Sequence, residues 1–292
     1  MKSPLKRIGT YTAILTVLLI AGGLPWVCSL GAKSSPSAKP RVRWAPALNR
    51  PPRPGEEYLN KKDGSILVWI PGGKFHMGSN SGPKDERPRH ELEISGFWLG
   101  KYEVSNAQYR RFMKEAGYYA PDYMDDKTLN GDEQPVIAVF WTHARAYCKW
   151  AGLKLPSESQ WEYAARGGRN YRYPTKNGRM SHELANIWGR KGRDRWLERT
   201  SPRGSFPPNP FGIYDMAGNA WEWTSSIYKP YPYNYYDGRE NVKTKAFRVM
   251  RGGSWHFSSK YASSSHRHKF RMHLRLDFVG FRVAAWKVPG QK

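Results

Sequence analysis

Cysteine is nearly absent from this chain. Two residues in 292, Cys28 and Cys148, leave no disulfide framework. Cys28 sits inside an apolar N-terminal segment. Cys148 falls in a helical pattern beside Tyr147 and Trp150, so it reads as a small core residue rather than a nucleophile. Acidic residues are also few: 24 Asp and Glu stand against 48 Lys and Arg, a formal charge of +24. A field of that size draws polyanions, with nucleic acid the first reading. No internal repeat is visible.

What is abundant is aromatic and turn-forming. Thirteen Trp, 28 Gly and 22 Pro predict a compact, ring-rich core joined by many turns rather than long amphipathic helices.

Residues 1–32 have the anatomy of an export signal. Lys2, Lys6 and Arg7 precede the uncharged run Ile8–Ala32, whose densest apolar part, Ala13–Ala21, is short for a membrane span. Ser29-Leu30-Gly31 offers a signal-peptidase site, and Pro25-Trp26-Val27 makes a poor lipobox before Cys28. The segment is either a cleaved signal peptide or an anchor. Both place the remainder outside the cytoplasm, periplasmic or extracytoplasmic, and argue against nucleic acid as partner. Residues 33–57 form a Pro-, Lys- and Arg-rich linker able to lie on anionic headgroups, 58–288 the folded domain, and 289–292 a tail.

Within the domain, Ile66–Ile70 followed by Pro71-Gly-Gly73 predicts a strand and turn, and the alternation over Glu91–Leu99 a second strand. Ser105 with Gln108 forms a capping box for a helix whose Tyr109, Phe112, Met113 and Ala116 share a face. Val136–Phe140 reads as a short buried strand, and Thr142 as the cap of a second helix ending at Gly152. Ser157 with Gln160 opens a third helix that stops at Gly167-Gly168; its Glu158 and Glu162 read as buried or capping acids. Beyond Arg169 regular periodicity is scarce.

The central motif is Phe211-Gly-Ile-Tyr-Asp-Met-Ala-Gly-Asn-Ala-Trp-Glu-Trp-Thr224. Asp215 and Glu222 flank turn-prone Gly218, Asn219 and Ala220, and Tyr214, Trp221 and Trp223 can wall the loop from water. Carboxylates and backbone carbonyls on a tight loop suit a hard cation such as Ca²⁺; the alternative is an aromatic turn with two solvated acids.

This motif resembles the formylglycine-generating enzymes, or sulfatase-modifying factors. Further matches follow in order: Trp69-Ile-Pro-Gly-Gly-Lys-Phe-His-Met-Gly-Ser79, Glu103-Val-Ser-Asn106, Leu155-Pro-Ser-Glu-Ser-Gln-Trp-Glu-Tyr-Ala-Ala165, Arg251-Gly-Gly-Ser-Trp255 and Gly280-Phe-Arg-Val283. The resemblance implies an α+β fold of the C-type-lectin type with little regular secondary structure. It also implies a calcium held by Asp215, Gly218, Ala220 and Glu222, and a second calcium set at Asn186, Ile187, Asp194 and Trp196. The second set is crowded by Arg190, Lys191, Arg193 and Arg195, which oppose a cation.

The family's copper is held by two cysteines after the Gly-Gly-Ser turn. Phe257 and Ala262 occupy those positions, and neither ligates Cu(I), so copper-dependent formylglycine formation is not expected. His256, His266, His268 and His273 read as solvated or structural. Ser254, Trp255, His256, Lys260, Arg267, Arg271 and Arg275 lie where the family borders its substrate groove. They predict either a site for an anionic ligand or protein partner of the cell envelope, or a generally basic surface. The function expected is an exported binding or accessory factor in envelope assembly or maturation. The alternative is a noncanonical oxidase or maturation enzyme acting on a peptide or a secreted metabolite.

Overall fold

The structure, a computed structural model, describes residues 50–189, 196 and 198–287. The expected signal segment, linker residues 33–49, Asp194 and the tail lie outside these. The described residues all belong to one unit, Val42–Lys292, and none of their helices is long and apolar enough to cross a membrane.

The apolar run after Ser65 forms as expected. Strands β1 (Glu57–Leu59) and β2 (Ile66–Ile70) pair antiparallel. Pro71 and Gly72 then turn the chain into a separate hairpin of β3 (Gly73–Met77) and β4 (His90–Ile94), after which β5 (Phe97–Gly100) returns to pair with β2. The single strand expected over Glu91–Leu99 is therefore two, in different sheets. The break has a steric cause: a Cβ on Gly72 would stand 2.6 Å from the Ile94 carbonyl, and one on Gly96 would strike the Trp69 ring.

Helix α1 (Asn106–Ala116) carries the Ser105–Gln108 capping box and ends at Gly117, φ 61°. Tyr109 and Phe112 are buried, whereas Ala116 is exposed in the last turn. The segment Val136–Phe140 is not a strand, though it is buried as far as Val139 and half-buried at Phe140. Its backbone instead bonds to Val104 and Leu276, with Ala138 at φ 56°. Helix α2 (Trp141–Trp150) starts one residue before the expected Thr142 cap and has no side-chain cap. A tertiary anchor serves there: Trp141 Nε1–H donates to the Thr224 carbonyl at 2.8 Å, and the Arg248 guanidinium lies 4.0 Å over its ring. Helix α3 (Glu158–Ala165) has the second capping box, Ser157 with Gln160.

The poorly periodic second half supplies β6 (Trp221–Ile227), β7 (Phe247–Arg251), β8 (His268–Arg271) and β9 (Val279–Gly280), in sheet order β8-β7-β6-β9. Strand β10 (Ala284–Ala285) closes the first sheet against β5. The main core gathers Trp98, Tyr109, Trp141, Tyr147, Trp223 and Phe281; Cys148 is part of it, its thiol pushed well up by burial.

An ionic network joins α3 to both the hairpin and the last sheet. Arg267 grips both oxygens of Glu158 at 2.8 Å. Arg251 Nη2 donates to Glu158 and Glu162 at 2.9 and 2.7 Å, and Arg166 donates to Glu162 at 2.6 Å. Both glutamates are fully buried. Burial alone would raise the Glu162 carboxyl, but Arg166 and Arg251 hold it below its ordinary 4.5. Its contribution to stability is thus present above that value and lost as pH falls below it. Arg251→Met leaves two buried carboxylates short of a partner and should cost about 3–5 kcal/mol in urea unfolding. Arg275→Ala breaks an exposed pair with Asp122 and a contact over the Phe140 ring, and should cost about 1 kcal/mol. Equal losses would show that the network carries no special weight.

Candidate functional site

The loop from Asp215 to Glu222 folds back through three left-handed residues, Asp215 (φ 55°), Gly218 (φ 76°) and Asn219 (φ 60°). Only Gly fits at 218, because a Cβ there would collide with the Asn186 carbonyl. The turn draws three buried carboxylates together. Glu222 pairs with Arg282 through both oxygens at 2.6 Å and accepts Trp161 Nε1–H at 2.8 Å. Glu103 accepts Asn219 Nδ2–H and the Ala220 N–H at 2.8 and 3.1 Å. Asp215 Oδ2 accepts the Gly204 N–H at 2.6 Å, while its Oδ1 is buried with no partner.

Three carboxylates share one paired guanidinium, Arg282, with the charge of Arg203 also reaching Asp215, so acids exceed bases here. Burial, with the charges of Asp215 and Glu222, pushes the Glu103 carboxyl well up; burial first raises Asp215 to about 6. These residues fit a divalent cation on two counts. The orphan Asp215 oxygen offers a ligand, and Glu222 Oε1, with Arg282 as its one partner, keeps an acceptor position. Among the described residues, no three His, Cys, Asp or Glu side chains could by themselves hold a metal ion. A cation here would therefore lean on the carbonyls of Gly218 and Ala220.

Beside the network, a cleft of about 890 Å³ opens between the residues after β3 and the segment after the Gly252-Gly253 turn. Arg89, Arg166, Arg172, Lys260 and His266 line it against a single acid, Glu86. Glu86 is itself buried and holds His266 Nδ1 at 3.1 Å, and His266 Nε2 is buried with no partner. Among the described residues Arg89, Arg172 and Lys260 form no ion pair. Arg251 Nη1 donates to the carbonyls of Ser264 and His266, so the network fixes the wall of this cleft.

Residues 56–287 match the family described as the sulfatase-modifying factor enzyme 1-like domain. The chain belongs to this family. Among its curated relatives, the inactive C-alpha-formylglycine-generating enzyme 2 of Bos taurus is 31% identical across 77% of this chain and 90% of its own length. The serine/threonine-protein kinase pkn1 of Chlamydia caviae is also 31% identical, across 75% of this chain, but the match spans only 37% of that protein. Among solved structures, PvdO from Pseudomonas aeruginosa superposes with a TM-score of 0.67 at 27% identity, covering 81% of this chain and all of PvdO. The sulfatase-modifying-factor domain here is thus α+β, C-type-lectin-like and sparing in regular structure.

The second calcium set expected for this family is only partly in view. The Asn186 carbonyl accepts the Asn219 N–H at 2.8 Å, and Asn186 bridges to Gly218. Ile187 is buried, Trp196 lies 5.7 Å from the Arg199 guanidinium, and Asp194 is outside the described residues. At the two positions expected to match the family's cysteines, the Phe257 ring packs on Trp221, Tyr261 and Phe278, and Ala262 is buried against Gly253.

The expected groove residues do not share one groove. Lys260 lines the cleft, but Arg267 is 1% exposed and committed to Glu158. Ser254 is buried, and the Trp255 and His256 rings meet edge to face. Arg271 lies over Phe247 and Arg275 pairs with Asp122. The spacing of basic residues could not separate inward from outward arginines.

Glu103 and Arg282 also went unassigned, although both lie inside quoted motifs, where an acid or a base amid apolar neighbours was the available signal. Arg89, Arg166 and Arg172 carried no signal. Asp215→Asn keeps the acceptor for Gly204, tolerates φ 55° and removes one like charge. In chelator it should raise the melting temperature; a fall would mean the cluster is not strained by repulsion.

Proposed function

We propose that this chain is an exported, calcium-stabilised member of its family that holds an anionic ligand in the cleft beside α3. It acts as a binding or accessory factor in envelope assembly or maturation, without formylglycine-generating activity. The observation that carries this reading is the cleft itself, where Arg89, Arg172 and Lys260, without an ion pair among the described residues, and His266 face one buried acid. Guanidinium forks and an ammonium recognise phosphate, sulfate or carboxylate groups, so the ligand class is an anionic glycan, an acidic peptide or a phosphate-bearing envelope polymer.

Phe257 and Ala262 support the absence of copper chemistry, since neither supplies a thiolate. A 31% identical bovine relative carries the name of an inactive enzyme. Export rests on the N-terminal sequence, with membrane contact through that segment and the basic linker. The calcium would sit on Asp215 and Glu222 with the carbonyls of Gly218 and Ala220, cancelling the excess negative charge.

Two measurements test this reading. Polyphosphate binding to the full chain should weaken steeply with salt. Arg172→Glu with Lys260→Glu should reduce it by about a hundredfold or more, since charge-assisted bonds contribute roughly 1.5–3 kcal/mol each. Lys61→Glu with Lys243→Glu, at exposed positions that do not line the cleft, should change it little. Equal effects would leave only a diffuse field. In calcium the order of melting temperatures reverses, with Asp215→Asn now below the unaltered protein, because a ligand of the folded state stabilises by mass action. Melting unchanged by calcium overturns the ion. Stoichiometric iron or copper in the purified chain would favour the oxidase alternative.

A further inference from the structure

A second cavity, of about 590 Å³, lies at the other end of α3, between the end of α2, the first turn of α3 and the loop after β6. Its walls are aromatic and aliphatic: Tyr235, Trp286, Leu153 and Val242. Its polar groups are unevenly matched. Arg145, Lys149 and Lys154 face one carboxylate, Glu240, which is already engaged by the hydroxyls of Ser225, Ser226 and Tyr233.

Lys154 is fixed at its backbone by reciprocal bonds with Ala284, and its ammonium lies 4.5 Å from the Trp286 ring centre. It pairs with no carboxylate among the described residues. Gln160, 1% exposed, spends its Oε1 on the α3 capping box and leaves its Nε2–H₂ buried with no acceptor. A buried amide donor without a partner is costly, and a ligand oxygen would satisfy it.

We infer that this cavity is a binding site for a small aromatic carboxylate, its acid group held by Lys154 and Gln160 and its ring laid against Trp286 and Tyr235. An aromatic-walled pocket with a few convergent polar groups is the usual form of a small-molecule site. The site is separate from the basic cleft and shares no lining residue with it. Burial lowers the Lys154 ammonium to about 8, so its charge is present at neutral pH and lost above. Arg145 and Lys149 on α2 are the other bases that line the cavity, and Glu240 is the opposing acid.

The test is calorimetric titration of the full chain with benzoate, 4-hydroxybenzoate and indole-3-acetate, each up to about 10 mM, where even a millimolar dissociation constant saturates. At least one should bind saturably, its alcohol counterpart should not, and binding should weaken as pH rises through 8. Lys154→Met and Gln160→Glu should each weaken it by about tenfold or more, the latter keeping the capping oxygen while replacing the donor. Lys61→Met, at an exposed position that lines neither cavity, should leave it unchanged, and melting curves should show all three variants folded. No saturable binding by any of the three acids, or equal binding by the alcohols or by Lys154→Met, overturns the assignment.

Discussion

The fold depends on buried arginine. Arg251 and Arg267 clamp Glu158 and Glu162, and through those glutamates tie α3 to β7, β8 and the hairpin. Their remaining donors serve loops: Arg251 reaches the carbonyls of Ser264 and His266, and Arg267 those of Asp85 and Lys229. Arg248 does the same for Ser225, Asn241 and Thr244, and Arg282 for Gly100 and Tyr214. A chain with so little helix and sheet has many buried carbonyls without ladder partners, and each needs a donor. Five-donor guanidiniums meet that need, and carboxylates offset the charge they bring in.

This arrangement changes the meaning of the +24 charge. Arg239, Arg248, Arg251, Arg267 and Arg282 are each no more than 1% exposed, so part of the formal charge never reaches solvent. Charge without an ion pair is local, and the cleft concentrates it on Arg89, Arg172 and Lys260. Arg166 belongs to both systems. It pairs with Glu162 inside the network and shows its edge to the cleft, so the interaction that holds the fold also shapes the floor of the site.

The carboxylate cluster under the 215–222 turn is the inverse case. There acids exceed bases, and the loop is held by Asn219, whose side chain links Glu103, Asn186 and Ser201. The basic cleft gathers positive charge and the 215–222 turn gathers negative charge.

The sequence by itself determined the elements whose signals are local. Both capping boxes, the strand at Ile66–Ile70, the buried Cys148 and the ordered motifs of the family depend on residues adjacent in the chain or one turn apart. The turn at Gly218 and Asn219 was legible for the same reason. Tertiary structure decided what depends on partners far along the chain: that Glu91–Leu99 splits between two sheets, that Trp141 rather than Thr142 opens α2, and that Glu103 and Arg282 complete the cluster. It also decided that Arg267 points inward to Glu158, 109 residues away, while Lys260 faces the cleft. A basic residue reads the same in sequence whether it meets a carboxylate or water, because the partner that sets its role is chosen by packing.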